Sequence, residues 1–240
     1  MQLELVTWKV FSIKPLIQSN PHMMWEDSTR AAEEAAEAAE KGEKVKRAAR
    51  KKGLTGTNSQ NYALAESQLY VNDEGQCYHP AEGFWSNLLQ ACGGRDVGVG
   101  KPALTAITQG VALMDEEFLL CDPKTMDKKV PRYVKGNEWQ IDKRRAVNHN
   151  KEKTEGGVGV VAIRPKWKVW GGLVTFQVDR EMFGPKAKTQ KEAVESITSL
   201  LNIGGHLFGI GVGRRRIKAM VRNSPVWSGF GSGKYRVELK

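Results

Sequence analysis

A chain of 240 residues, 40% apolar and 27% charged, is long enough to bury a core and too ordinary in composition for a disordered or fibrous protein. Its 37 lysines and arginines against 27 acids leave a net charge of +10, which favours polyanionic partners, nucleic acid ahead of an anionic membrane. Three isolated cysteines with no CxxC pair argue against a disulfide framework or zinc ribbon and for a reducing, cytoplasmic setting; MQLELVTWKV is no secretory leader, and no run reaches the length of a membrane span.

Residues 2–13, QLELVTWKVFSI, are rich in β-branched and aromatic residues and predict a strand, broken by Pro15 and Asn20-Pro21. Residues 28–53 are dominated by Ala, Glu, Lys and Arg and predict a helix capped by Ser28. Its acids lie in the first half and its bases, among them Lys46, Arg47 and Arg50, in the second, which complements the helix dipole. Almost nothing large and apolar marks a buried face, so the segment is expected to project as an inserted, charged helix; a merely solvated helix is the plainer reading. Residues 54–68 read as a polar loop. SQLYVNDEGQCYHP predicts a short strand, a turn at residues 72–75 and an extended run into Pro80. AEGFWSNLLQACGG predicts a helix whose Phe84, Trp85, Leu88 and Leu89 face the core, with Gly93 as its terminator.

Residues 98–120 predict a short helix or turn and then a strand. Residues 121–157 read as a polar loop insertion that carries the basic stretch Lys143, Arg144 and Arg145. Residues 158–179 predict two strands around Pro165. Residues 189–202 predict a helix, with TQKE as a capping box, an apolar stripe of Ala193, Val194, Ile197, Leu200 and Leu201, and Gly204 at the C′ position. KYRVELK alternates as a closing edge or pairing strand. Strands and helices interleave in an α+β pattern, expected to form one elaborated domain over residues 1–240.

Two glycine bursts stand out: GGHLFGIGVGRRR, residues 204–216, and GFGSGKYRVELK, which ends at Lys240. Neither is a P-loop: Ile210 stands where the lysine is required, and Tyr235 follows Gly233-Lys234. Arg214 breaks the dinucleotide spacing after Gly209-x-Gly211, and the segment follows a helix instead of a strand. What remains is a loop whose backbone amides can approach a ligand while Arg214, Arg215 and Arg216 meet phosphates; the plainer reading is that the glycines permit turns and close packing. Lys234 belongs to the same candidate surface. No histidine has HxxxH or HExxH spacing, and no metal or other cofactor is expected. His206 within the glycine segment is a candidate nucleic-acid contact and, less favoured, a general base. Trp167 and Trp170 lie among Arg164, Lys166 and Lys168, an interleaving that suits a stacking platform for unpaired bases. For Trp170, core packing is the stronger reading.

KPLIQSNPHMM, then DEGQCYHPAEGFWSNLLQAC, then a helix leading into GGHLFGIGVGRRR, then GFGSGKYRVEL follow one another in an order that resembles the RAMP superfamily. That superfamily includes the backbone subunits of CRISPR effector complexes, which act in antiviral defence, and the chain is also similar to related phage-encoded proteins. The resemblance spans residues 3–239. It implies a ferredoxin-like or RNA-recognition-motif core, an RNA-binding surface, and side-by-side assembly of copies along a guide strand in a ribonucleoprotein, with other effector subunits as further partners. Bulky Phe84 and Trp85 depart from the small residues and trailing arginine usual in that helix, and the catalytic His or Asp of family endonucleases finds no match. The expectation is therefore a non-catalytic binder of single-stranded nucleic acid, RNA over DNA. Two alternatives use the same surface: a phage-encoded single-strand DNA-binding or annealing protein, and a RAMP-type endoribonuclease using His206 or His149.

Overall fold

A computed structural model describes residues 3–20, 58–93, 102–126, 139–148, 158–183, 189–211 and 232–240. The helix expected at residues 28–53, with Lys46, Arg47 and Arg50, lies outside the described residues, as do His149 and Arg214, Arg215 and Arg216. In chain order the elements are β1 (Leu3–Ser12), β2 (Leu16–Ile17), α1 (Asn58–Glu66), β3 (Tyr78–Pro80), α2 (Glu82–Ala91), α3 (Ala103–Gly110), β4 (Val111–Leu113), β5 (Glu117–Leu119), β6 (Trp139–Asn148), β7 (Val158–Trp167), β8 (Gly171–Asp179), a 3-10 turn (Arg180–Phe183), α4 (Gln190–Leu207) and β9 (Tyr235–Leu239). The fold is α+β with antiparallel sheets. Two compact units divide the chain: residues 1–17, 71–138 and 167–240 make the first, and residues 18–70 and 139–166 the second.

The first unit is built on a four-stranded sheet in the order β4-β8-β1-β9, antiparallel at every step. Period-two alternation in β1 sends Val6, Trp8 and Val10 to one face, where all three are buried, and leaves Leu5 and Thr7 on the other. The cross-strand partners repeat the pattern: Phe176 faces Val6, Val174 faces Trp8, and Val237 faces Val10. Helix α4 packs on α2 and β9, and Trp8 Nε1 donates to Thr198 Oγ1 at 2.8 Å, tying α4 to the central strand. Between sheet and helices lies an aromatic core in edge-to-face contact: Trp8 with Phe176 (5.7 Å between centroids), Phe84 with Phe118 (4.7 Å) and with Tyr235 (5.0 Å), and Phe118 with Trp170 (6.1 Å). Trp170 is fully buried, as its core reading requires, and its Nε1 donates to the Lys14 carbonyl at 2.9 Å. β3 and β5 form a separate two-stranded ladder, with Ala81 opening α2 directly after it.

Helix α4 begins as its sequence predicts. Thr189 caps it, and the reciprocal bonds between Thr189 and Glu192 complete the capping box. Its end differs from expectation: the helix runs past Gly204 to Leu207, and the left-handed residue is Gly209, at φ +71. Gly204 and Gly205 are interior helical residues chosen for closeness. A Cβ on Gly204 would lie 2.8 Å from the Asn87 carbonyl, and one on Gly205 would lie 2.7 Å from the Tyr235 ring. At the far side of β9, the Asn202 amide takes both outward backbone groups of Val237. Its Oδ1 accepts from the N–H at 2.8 Å, and its Nδ2 donates to the carbonyl at 3.2 Å.

The second unit pairs β6 with β7 and sets α1 beside them. Three expectations are corrected here. The loop read at residues 54–68 contains α1, a polar helix that lacks the apolar stripe by which such elements are found. The insertion read as loop over residues 121–157 contains the ten-residue strand β6, so Lys143, Arg144 and Arg145 sit on a strand. Pro165 does not separate two strands; it lies within β7, where its carbonyl accepts from Gln18 N at 3.1 Å, and the break comes at residues 168–170. Gln68, a buried residue, donates from Nε2 to the Ile163 carbonyl at 2.8 Å, and Tyr62 stacks on Trp139 with ring centroids 4.5 Å apart.

Candidate nucleic-acid interface

The helices of the first unit cover the Trp8 face of the sheet. On the other face Leu5 is 63% exposed, and Thr7, Lys9, Phe11, Leu173 and Thr175 are half-buried. Along the face, Thr7 and Thr175 hydroxyls meet at 3.2 Å, and Lys9 stands between Leu173 and Glu238. Next in the row, Phe11 is opposite Arg236, whose guanidinium carbon lies 4.5 Å above the Phe11 ring centroid. Arg236 also pairs with Glu238, two residues on along the same strand. Lys9, Phe11 and Arg236 thus form a cation–aromatic row across β1 and β9. Inspection of motifs missed all three. The signal was present in the alternation of QLELVTWKVF and KYRVELK, whose polar positions fall on one face once the two strands are paired.

The two glycine bursts converge at one end of this sheet. Ile210 N donates to the Gly233 carbonyl at 3.1 Å, Gly211 N to the Ser232 carbonyl at 3.2 Å, and Gly233 N to the Pro15 carbonyl at 2.8 Å. Gly209 and Gly233 adopt φ +71 and +67, a region costly for residues with a Cβ. Two buried polar residues brace the turn. Asn87 Nδ2 donates to the Gly209 carbonyl at 3.1 Å and lies 3.4 Å from the Tyr235 hydroxyl; His79 Nε2 donates to the Ile210 carbonyl at 2.8 Å. Burial holds the Tyr235 phenol well above the ordinary tyrosine range, with the Asn87 bond a smaller opposing influence. The backbone amides of Ile210, Gly211 and Gly233 are therefore taken up by carbonyls of the same junction, and these glycines serve tight turns and close packing instead of an amide cradle.

The candidate residues fall in different surroundings. Lys234, beside the junction, is buried to 6% exposure, and burial followed by the neighbouring Lys14 charge holds its ammonium below the usual lysine range. His206 is exposed in the last turn of α4, where Nδ1 donates to the Asn202 carbonyl at 3.0 Å, one turn back along its own helix. Lys143 is exposed on β6, while the side chains of Arg144 and Arg145 lie outside the described ones. Arg164 and Lys166 are half-buried on β7, alternating with buried Ile163 and Trp167. Trp167 is a correction: its ring is fully buried, so it offers no surface on which a base could stack. The alternation that placed it among cations also turned it inward.

Among the described residues no group of three or more His, Cys, Asp and Glu side chains is arranged to hold a metal ion, and no helix is long and apolar enough to cross a membrane. No protein-family model matches the chain, and no curated protein or solved structure is significantly similar to it.

Proposed function

We propose that the chain is a non-catalytic, cytoplasmic subunit that binds single-stranded RNA on a ferredoxin-like core and assembles copy beside copy along a guide strand, as its resemblance to the RAMP superfamily implies. One observation carries the reading: the path of the chain through the main sheet. β1, α2, β4, β8, α4 and β9 follow as strand, helix, strand, strand, helix, strand, and the strands lie side by side as fourth, first, third, second. With the intervening elements set aside, that order matches the split β-α-β arrangement of ferredoxin-like cores, which supports the reading. The sheet face away from the helices holds Lys9, Phe11 and Arg236. Phosphates and unstacked bases are the ligands that suit cations beside an aromatic ring.

The test is a filter-binding titration of a labelled 20-nucleotide uridine RNA at 50 and 200 mM salt, with DNA of the same length as competitor. Affinity is expected to fall steeply with salt, because bound phosphates release counterions, and RNA is expected to outcompete DNA. Phe11→Ala should weaken binding by about 5- to 150-fold, the equivalent of about 1–3 kcal/mol for one lost base stack. The RNA should remain intact in the mixture. No detectable affinity at 50 mM salt overturns the reading; tighter DNA binding would replace it with the single-strand DNA alternative, and cleavage lost in His206→Ala with the nuclease.

A further inference from the structure

Phe11 and Arg236 are cross-strand partners on β1 and β9, and the guanidinium carbon of Arg236 lies 4.5 Å above the Phe11 ring centroid. One face of the ring is therefore already occupied. Rings in contact have centroids about 4.5–7 Å apart, so a base and the guanidinium cannot share that face. A second contact holds the guanidinium in place. Arg236 Nη1 donates to Glu238 Oε1, two residues on along β9, where strand alternation puts both side chains on one face of the sheet. The two side chains are 51% and 52% exposed, and an ion pair so exposed adds little to stability. What it decides is where the guanidinium sits in the free protein: over the ring, with its charge answered by a carboxylate. That carboxylate is replaceable. A phosphate offers a guanidinium the same forked acceptor geometry, and arginine stays charged throughout, so the exchange moves no proton. An arginine that follows a phosphate away from Glu238 uncovers the ring, and the uncovered face suits a stacked base.

We propose that Arg236, held by Glu238, closes the Phe11 ring in the free protein, and that the site opens to a ligand bringing a phosphate and a flat base together. A polyanion without bases engages the arginine but leaves the ring empty; a base without a phosphate finds the ring covered. The proposal rests on the RNA-binding reading and adds to it a means of selecting polynucleotides over other polyanions.

The experiment is a double-mutant cycle on the intact chain. Wild type, Glu238→Gln, Arg236→Met and the double variant are titrated with the 20-nucleotide uridine RNA at 50 mM salt. Both substitutions alter exposed side chains and are expected to fold, which circular dichroism checks. Glu238→Gln should tighten RNA binding by about 1.5- to 5-fold, the release of one exposed ion pair. In the Arg236→Met background the same change should have no effect, because no guanidinium remains to be released. A carboxylate acting only through general charge, or through Lys9 opposite it on β1, gives the same gain in both backgrounds. An equal gain in both, or no gain in the first, overturns the latch while the RNA-binding reading stands. Phe11→Ala should weaken RNA binding yet leave binding of inorganic polyphosphate unchanged; equal losses for the two ligands overturn the ring's part in the selection. If none of the four proteins binds RNA, the latch and the RNA-binding reading are both overturned.

Discussion

Gly205→Ala should destabilise the protein even though it improves helix propensity. In an isolated helix the change would stabilise by about 1 kcal/mol, since glycine has the greater backbone entropy to lose. Here the added methyl would lie 2.7 Å from two carbons of the Tyr235 ring and closer still to the Tyr235 carbonyl oxygen, whereas non-bonded carbons favour about 3.5–4.0 Å. Either α4 or β9 must therefore retreat by about 1 Å. Neither can do so freely. Tyr235 is fully buried against Phe84, and β9 is held to β1 through five residue pairs and to α4 by the Asn202 amide. Overpacking of this kind costs about 1–3 kcal/mol, and the disturbed β9 contacts add to it, so a net loss of about 1–2 kcal/mol remains after the propensity gain. For a chain of this length that is a fall of roughly 2–8 °C in Tm. Thermal melts by circular dichroism, with urea titrations to check that the m-value is unchanged, measure it. Gly93→Ala is the control, because a Cβ there meets only the Gln90 carbonyl at an ordinary 3.5 Å. A Gly205→Ala protein that melts at or above the wild-type temperature would refute the close-packing account of the glycine pair.

Two further outcomes follow from the same region. Asn202→Ala leaves the Val237 N–H and carbonyl without their partners and uncovers part of the β9 edge; it should cost about 1–3 kcal/mol and raise light scattering on concentration, and a variant unchanged in both would refute the edge-covering role. Tyr235 must stay neutral in the fold, so its contribution is complete below the unfolded tyrosine pKa of about 10 and is lost as pH rises above that. Tyr235→Phe, which cannot ionise, should be less stable than wild type at pH 8 by about 1 kcal/mol for the lost hydroxyl contact. That gap should close as urea titrations move to pH 11; a constant gap would count against the buried phenol as a source of alkaline sensitivity.

The parts of the fold legible in the sequence are those whose signal is local. The capping box at Thr189 and the stripe from Ala193 to Leu201 place α4 because the bonds and the face they specify lie within one helix. The strand β1 is legible from its alternation, and so is the core position of Trp170. The rest depends on partners distant in sequence. Helix α1 is polar, so only its tertiary setting distinguishes it from a loop. β6 carries Lys143, Arg144 and Arg145, whose charge suggests solvent until β7 is seen beside it. Gly204 carries the sequence signature of a helix end, yet it is held inside α4 by the approach of Asn87. Trp167 looked available for stacking because its neighbours are cationic, but strand alternation sends Arg164 and Lys166 one way and Trp167 the other. The Lys9, Phe11 and Arg236 row is legible only in part: alternation assigns each strand its face, but Phe11 and Arg236 become neighbours only through the β1–β9 register.

The central place of β1 bears on how the chain is made. Thr7 meets Thr175, 168 residues later, and β9 pairs with β1 from still further along the chain. During synthesis β1 therefore emerges long before either of its neighbours, with Val6, Trp8 and Val10 uncovered and both edges able to pair. Chains arrested before residue 171 hold β1 with neither neighbour and should aggregate or recruit chaperones, whereas the second unit, complete by residue 166, has all of its own segments by then. Vectorial synthesis thus favours closing the sheet after the second unit has formed, with pairing of β1 as the slow, long-range step.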